Sequence, residues 1–426
     1  MSETDQTKVA IACQGGGSHT AFTAGVLDRL LEEHRSDYRI TAFSGTSGGA
    51  VCALAAWYGL RTGTTPAAGD KRARELLEQV WDDIKSQTYA EQLTNRGLVQ
   101  IQRFAEMGFP VPQIAPDHNP FAPAGEKRFR AILEGIADED AIEELVQDLP
   151  KDDSTDPPEA PDQPWLYVSA VDAINGSFEI FSDWPEDSRN PTTRAMERPH
   201  KSGTHTSHAS TEEVPFRALY RELLTDVRRP LTLDAVAASA AVPTLFRGVR
   251  LGNDDESIYW DGLFSQNPPV RNLLRGIEDR TKKPDEIWLI RINPTVHERE
   301  LDDLEDIFDR RNELAGSLSL YQELYHIRRV NQWVTDGKLR LTPADDSEDA
   351  PRRYKPITVR LIELDEGDDQ PFEELRKLTP ASKLDRRPEF IEQLKTQGRT
   401  QADQFLASYR QGVKENVIVD AEPEAD

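Results

Sequence analysis

Twice near its N-terminus the chain passes from an apolar run of strand length, through clustered glycines, into a stretch of helical length. The first passage is Val9 to Cys13, then Gly15, Gly16 and Gly17, then Thr20 to Glu33, where Phe22, Val26, Leu27 and Leu30 recur on one helical face. The second is Arg39 to Phe43, then Gly45-Thr46-Ser47-Gly48-Gly49, then an apolar helix over Ala50 to Tyr58. Strands that feed helices in this way need a sheet covered on both faces, because neither a lone helix nor a lone strand buries its apolar side.

The alternation runs on. Asp70 to Ser86 is amphipathic, with Leu76, Leu77, Val80, Trp81 and Ile84 at helical spacing, and Glu126 to Leu149 holds one or two further helices. Trp165 to Ala173 and Ser177 to Phe181 read as strands joined at Asn175-Gly176, a strong short hairpin signal. A small-residue helix follows at Leu233 to Ala241, ending at Pro243, and then strands at Ser257 to Trp260 and Glu286 to Ile292. Helices around Leu301 to Trp333, a strand at Ile357 to Leu364 and a helix at Pro388 to Tyr409 close the pattern. Polar, proline-rich stretches near 150–164 and 183–213 read as mobile insertions.

With 426 residues the chain can bury a substantial core in one large or two ordinary domains. Its net charge of −25 disfavours nucleic acid and anionic headgroups as partners. The surplus of acids and of arginine over lysine fits a salt-rich cytoplasm, and a high-GC genome explains the arginines equally well. Cys13 and Cys52 have no metal-site spacing and read as reduced core thiols. No stretch approaches the roughly 18 consecutive apolar residues of a membrane span. The polar start MSETDQTKVA lacks a signal-peptide pattern, so a cytoplasmic protein is expected.

Glycines at a strand-to-helix turn let backbone N–H groups approach an anion beside the positive end of a helix. A bound phosphate is the first candidate. Yet Ser18-His19-Thr20 follows the glycines, with no Gly-Lys-Ser/Thr, and the third glycine of G-x-G-x-x-G is missing. An oxyanion formed during a reaction is the second candidate. Gly45-Thr46-Ser47-Gly48-Gly49 fits G-x-S-x-G between a strand and a helix, the turn that lifts a nucleophilic serine above a sheet. The plain alternative is a Gly/Ser loop that merely starts a helix. If the first two strands are neighbours, the N–H groups of Gly15 to Ser18 face the carbonyl that Ser47 would attack.

Such a serine needs a base. Of the eight histidines, only His297 and His326 lie well beyond a candidate acid, both in charged stretches that look solvated. His200, His205 and His208 fall in the polar excursion. Asp261 ends the apolar run Ile258-Tyr259-Trp260 and precedes Gly262, with Asn267-Pro268-Pro269 after it. It is placed either to face a serine or simply to cap a turn.

Gly15-Gly16-Gly17, the Gly45 to Gly49 turn and Asp261-Gly262, in that order, resemble the patatin-like phospholipases, as does Ala237 to Leu251. The likeness covers Lys8 to Pro269 and extends through Pro284 to Pro294. It implies a three-layer α/β/α fold with a mainly parallel sheet and helical additions, in which residues 1–295 form the catalytic domain. Residues 296–426 are then a helical and strand extension packed on it. The resemblance further implies hydrolysis of acyl esters by a Ser–Asp dyad without histidine, cofactor or metal. Ser47 becomes the nucleophile, Asp261 the base, Gly15, Gly16, Gly17 and Ser18 the oxyanion hole, and Gly45 and Gly49 the elbow.

The family's loop usually continues with a basic residue and glycine, where this chain has His19 and Thr20. His19→Arg is therefore expected to leave the chemistry working and to shift preference toward anionic substrates. The expected partner is a lipid or other acyl-ester substrate, met in peripheral contact with a membrane or lipid granule. The rival readings are an intracellular polyester (polyhydroxyalkanoate) depolymerase of the same fold, a catalytically silent lipid-binding scaffold, and a histidine-dependent esterase.

Overall fold

The structure is a computed structural model that describes residues 6–109, 111, 114–120, 122–147, 163–184, 228–243, 245–251, 257–277, 279–293, 304–339, 354–365 and 370–421. Its strands are β1 (Thr7–Cys13), β2 (Tyr38–Gly45), β3 (Trp165–Asp172), β4 (Phe178–Ser182), β5 (Arg228–Pro230), β6 (Tyr259–Asp261), β7 (Glu286–Arg291), β8 (Thr358–Glu363) and β9 (Val417–Val419). Its helices are α1 (Ala21–Glu33), α2 (Gly48–Thr62), α3 (Pro66–Ile84), α4 (Tyr89–Glu106), α5 (Ala122–Ile136), α6 (Glu139–Gln147), α7 (Leu233–Ser239), α8 (Leu304–Thr335) and α9 (Pro388–Arg410).

All nine strands join one sheet in the order β5-β4-β3-β2-β1-β7-β8-β9, with β6 pairing β3 beside this path. The pairs along the centre, β3-β2-β1-β7-β8, are parallel, and antiparallel pairs occur at β3–β4, β3–β6 and β8–β9. Strand β1 shows why its sequence is an unbroken apolar run. Val9, Ile11 and Cys13 pack into the core under α1, α2, α3 and α9, while Ala10 and Ala12 face Leu320 and Ile327 of α8 on the other side. Both faces are dry, so neither set of alternate residues is polar. The fold is the expected three-layer α/β/α arrangement.

Residues beyond 296 contribute directly to it: α8 covers one face of the sheet, β8 and β9 extend it, and α9 packs along α1. Three described elements lie outside the sequence expectations. Strands β5 and β9, three residues each, are too short to show a period. Helix α4 begins with a capping box in which Thr88 and Glu91 satisfy each other's backbone N–H groups. Most of the stretches near 150–164 and 183–213 lies outside the described residues. Among those described, no helix is long and apolar enough to cross a membrane.

Candidate active site

Parallel pairing of β1 with β2 sets Cys13 opposite Gly45, so the loops leaving the two strands emerge side by side at the carboxyl end of the sheet. Ser47 occupies the second loop with φ 55° and ψ −129°, a region that side-chain-bearing residues rarely adopt. The surroundings hold it there. Its N–H donates to Ser239 Oγ at 3.0 Å, and its carbonyl accepts from the N–H of Ala50 and of Val51. Thr46 Oγ1 donates to the Gln266 carbonyl at 2.7 Å and shares a hydrogen bond with Ser169 Oγ. The turn closes only without side chains at its ends, since a Cβ on Gly45 would sit 2.7 Å from the Gly49 carbonyl oxygen.

Asp261 reaches the same place from β6, which pairs antiparallel with β3 and sets Asp261 opposite Ala170. Its N–H donates to the Ala241 carbonyl at 3.0 Å. Asp261 Oδ1 accepts from the N–H of Leu263 at 2.8 Å, so the turn-capping role is real. It does not exhaust the carboxylate, because the Ser47 hydroxyl is near enough to favour its charged form. Burial pushes the Asp261 pKa up to about 7, against the pull of the Leu263 N–H and the Ser47 hydroxyl. The group is therefore poised to accept a proton near neutrality.

The glycine loop divides into two parts. The amide of Gly15 donates to Asn267 Oδ1 at 2.7 Å, so this donor is engaged within the protein. Gly15 contributes clearance, as a Cβ there would lie 2.9 Å from Ser47 Cβ. Gly16 precedes a short 3₁₀ turn, Gly17–Thr20, whose first N–H groups have no partner within the turn itself. Among the described residues, the amides of Gly16, Gly17 and Ser18 have no hydrogen-bond acceptor. Gly17 holds φ 59°, and a Cβ on it would strike the carbonyl oxygen of Lys383.

His19 sits within the fold rather than in an open loop. It is buried, its Nε2 lies 2.7 Å from Ser382 Oγ, and its ring meets Phe390 edge-on. Burial, with nearby Lys383, drives its pKa well below the ordinary value, so it is neutral. An arginine here would carry a charge into a closed space and lose the Ser382 contact. His19→Arg is therefore expected to cost stability, besides any shift in substrate preference. Of the other histidines, His326 is exposed on α8, and His200, His205, His208 and His297 lie outside the described residues. Among those described, no histidine hydrogen-bonds to Ser47 or Asp261. Cys13 and Cys52 are free and buried, with pKa values raised by burial, and remain thiols.

Several supporting residues escaped the sequence reading. Glu323 of α8 is the most connected of them. Its Oε1 accepts from Gln266 Nε2 at 2.8 Å, and its Oε2 accepts from the N–H groups of Val270 and Arg271 at 2.8 and 2.9 Å. Gln266 in turn receives Thr46 and Ser169 on its carbonyl, and its neighbour Asn267 receives Gly15. One buried carboxylate thus braces the segment on which the loops of Thr46 and Gly15 rest. Nothing in YQELYHIRR marks it, because a glutamate in a charged helix looks solvated.

A family model described as patatin-like phospholipase matches residues 11–274. Among solved structures, VipD from Legionella pneumophila is similar at 14% sequence identity and a TM-score of 0.37, over 95% of this chain and 67% of that one. Human GIVD cytosolic phospholipase A2, in complex with methyl gamma-linolenyl fluorophosphonate, is 14% identical with a TM-score of 0.39. There the match covers 97% of this chain and 60% of the human one. No curated protein matches the chain.

Proposed function

The chain belongs to the patatin-like phospholipase family, and from that premise we propose that it is a serine lipid acyl hydrolase working through a Ser47–Asp261 dyad. The observation that carries the reading is the strained Ser47 turn, beside the buried carboxyl of Asp261 whose pKa is pushed up to about 7. Asp261 takes the hydroxyl proton as Ser47 Oγ attacks the ester carbonyl. The developing oxyanion is received by the amides of Gly16, Gly17 and Ser18, with the N-terminus of α2 beside it. Collapse expels the alcohol, which takes the proton from Asp261 and leaves an acyl-Ser47 ester. Water, deprotonated by Asp261, then releases the fatty acid and restores the serine.

This chemistry asks for no cofactor and no histidine. Residues 1–295 supply the nucleophile, base and oxyanion donors, and residues 296–426 act as their scaffold. The test is covalent. An alkyl fluorophosphonate should label the parent at Ser47, as read by peptide mass spectrometry, and should leave Ser47→Ala unlabelled. A silent scaffold predicts no label, and a label on another residue sinks the assignment. Fluorophosphonate labelling lost in a His326→Ala or His297→Ala variant, with Asp261→Asn still reactive, would favour the histidine-dependent esterase.

A further inference from the structure

Helix α4 is built the wrong way round for a helix that only packs on its own protein. Its buried positions are Asn95, Val99 and Glu106, two of the three polar. Its outward side carries Leu93, Ile101 and Phe104, which are 61%, 53% and 44% exposed, together with Leu98. Met107 and Phe109 continue the apolar surface beyond its end, and Phe104 and Phe109 meet edge-on. An apolar stripe of this length facing water is unfavourable unless something covers it.

Charge narrows the choice of cover. The exposed ionic residues of α4 are Arg96 and Arg103. Glu91 is half-buried, paired with Arg128 and engaged in the capping box, and Glu106 is buried. In a chain of net charge −25, this face is apolar and cationic. Apolar side chains flanked by arginines whose stems reach outward are the pattern of a helix lying in a lipid interface, with the guanidinium groups at headgroup phosphates. A second copy in the same orientation would bring like charges together.

Position joins the face to the site. Asn95 fastens α4 to the segment behind the glycine loop, donating to the Leu384 carbonyl at 2.7 Å and accepting from the Arg386 N–H at 2.8 Å. That segment holds Ser382 and Lys383 against His19 and Gly17. Helix α8 touches both α4 and the turn Gly262–Phe264 that follows Asp261, where Phe264 is exposed.

We infer that the outward face of α4, with Met107 and Phe109, docks the protein on a phospholipid surface and brings the Ser47 loop to that surface. The choice of lipid as occupant rests on the acyl-hydrolase reading. The experiment is flotation of full-length protein with phosphatidylcholine vesicles, run in the Ser47→Ala background so that the lipid is not consumed. Ile101→Asp/Phe104→Asp should weaken binding about tenfold or more, and Leu93→Ser should weaken it less, in the same direction. In the background that keeps Ser47, the double variant should hydrolyse a short soluble p-nitrophenyl ester at the parent rate.

Parent protein that fails to float, or a double variant that floats equally well, overturns the inference. So does a parent dimer that the double variant converts to monomer, because a second copy would then cover the face. Failure of the acyl-hydrolase reading looks different: the parent floats through Ile101 and Phe104 but turns over no ester.

Discussion

The loops that carry Ser47 and the glycines differ sharply from the parts of the chain that hold them in place. The loops lie within residues 14–50, and their geometry depends on glycines and one strained serine. The holding parts come from residues 239, 266–271, 323 and 382–383, and their work is done by buried side-chain oxygens and the backbone carbonyls of Gln266 and Lys383. A strained turn does not persist by itself, since adverse backbone angles cost about 1–3 kcal/mol and are kept only where surrounding contacts over-determine them. Reactivity is therefore written locally, while its rigidity is supplied from far along the chain.

Substitutions at Ser47, Asp261, the glycine loop and Glu323 test this division, beginning with the largest expected effect. Ser47→Ala should lower kcat on a p-nitrophenyl ester by roughly 10³-fold or more, with an unchanged circular dichroism spectrum. Ser47→Gly should be as inactive but more stable by about 1 kcal/mol, because glycine accepts φ 55° without strain. A thermal melt of the two variants reads the stored strain directly, and equal melts would deny it.

Asp261→Asn should come close to Ser47→Ala in activity lost, since the amide keeps the shape but cannot accept the proton. Parent kcat/KM should rise with pH through an apparent pKa near 7, as Asp261 ionises. Stability should move the opposite way. The folded protein raises this carboxyl from 3.8 to about 7, so it binds the proton more tightly than the unfolded chain does. The stability that protonation confers is full below about pH 4 and is lost as pH rises toward 7. Asp261→Asn, which has no charge to bury, should therefore gain on the parent across that window, by up to roughly 4 kcal/mol. Denaturant melts at pH 5 and pH 8 check the sign, and a gain that shrinks with rising pH would contradict it.

Gly17→Ala should cost about 10² to 10³ in kcat if the residue's amide meets the oxyanion. It should also destabilise the fold, because the new Cβ meets both a positive φ and the Lys383 carbonyl. Gly16→Ala is the milder comparison, since its Cβ meets only the end of the Ile292 side chain. Full activity in a folded Gly17→Ala protein would remove that residue from the oxyanion hole.

Glu323→Gln carries the smallest expected effect on rate. One end of an amide cannot accept, so either Gln266 Nε2 or the Val270 and Arg271 N–H groups lose their partner. A loss of about 1–3 kcal/mol in stability should follow, with kcat lowered and KM little changed as the segment under Thr46 and Gly15 relaxes. Parent-like stability and kcat would mean that the loops hold themselves.

What the sequence disclosed follows the same line. The α/β alternation, the turn at Ser47 and the aspartate at the end of β6 were legible because each is a local pattern of apolar period, glycine or strand end. The engagement of the Gly15 amide by Asn267 was not, because a backbone donor's partner 252 residues away leaves no mark near either residue. The burial of His19 was hidden for the same reason. Beside the glycines it looks like a member of the site, and only packing against Ser382 and Phe390 shows that it faces the far end of the chain. Helix α4 went unseen because its apolar residues face outward and its capping box was overlooked.

The seating of Ser382 and Lys383 against the glycine loop also has a consequence for the order in which the proposed site can form during synthesis. A ribosome makes β1, the glycine loop, the Ser47 turn and eventually Asp261 long before residue 383 exists. Until then the loop at Gly17 lacks the carbonyl it packs on, and His19 lacks Ser382 as its partner. On the proposed dyad reading, the growing chain would carry a nucleophile whose oxyanion donors are still unfixed until the segment around residue 383 can dock.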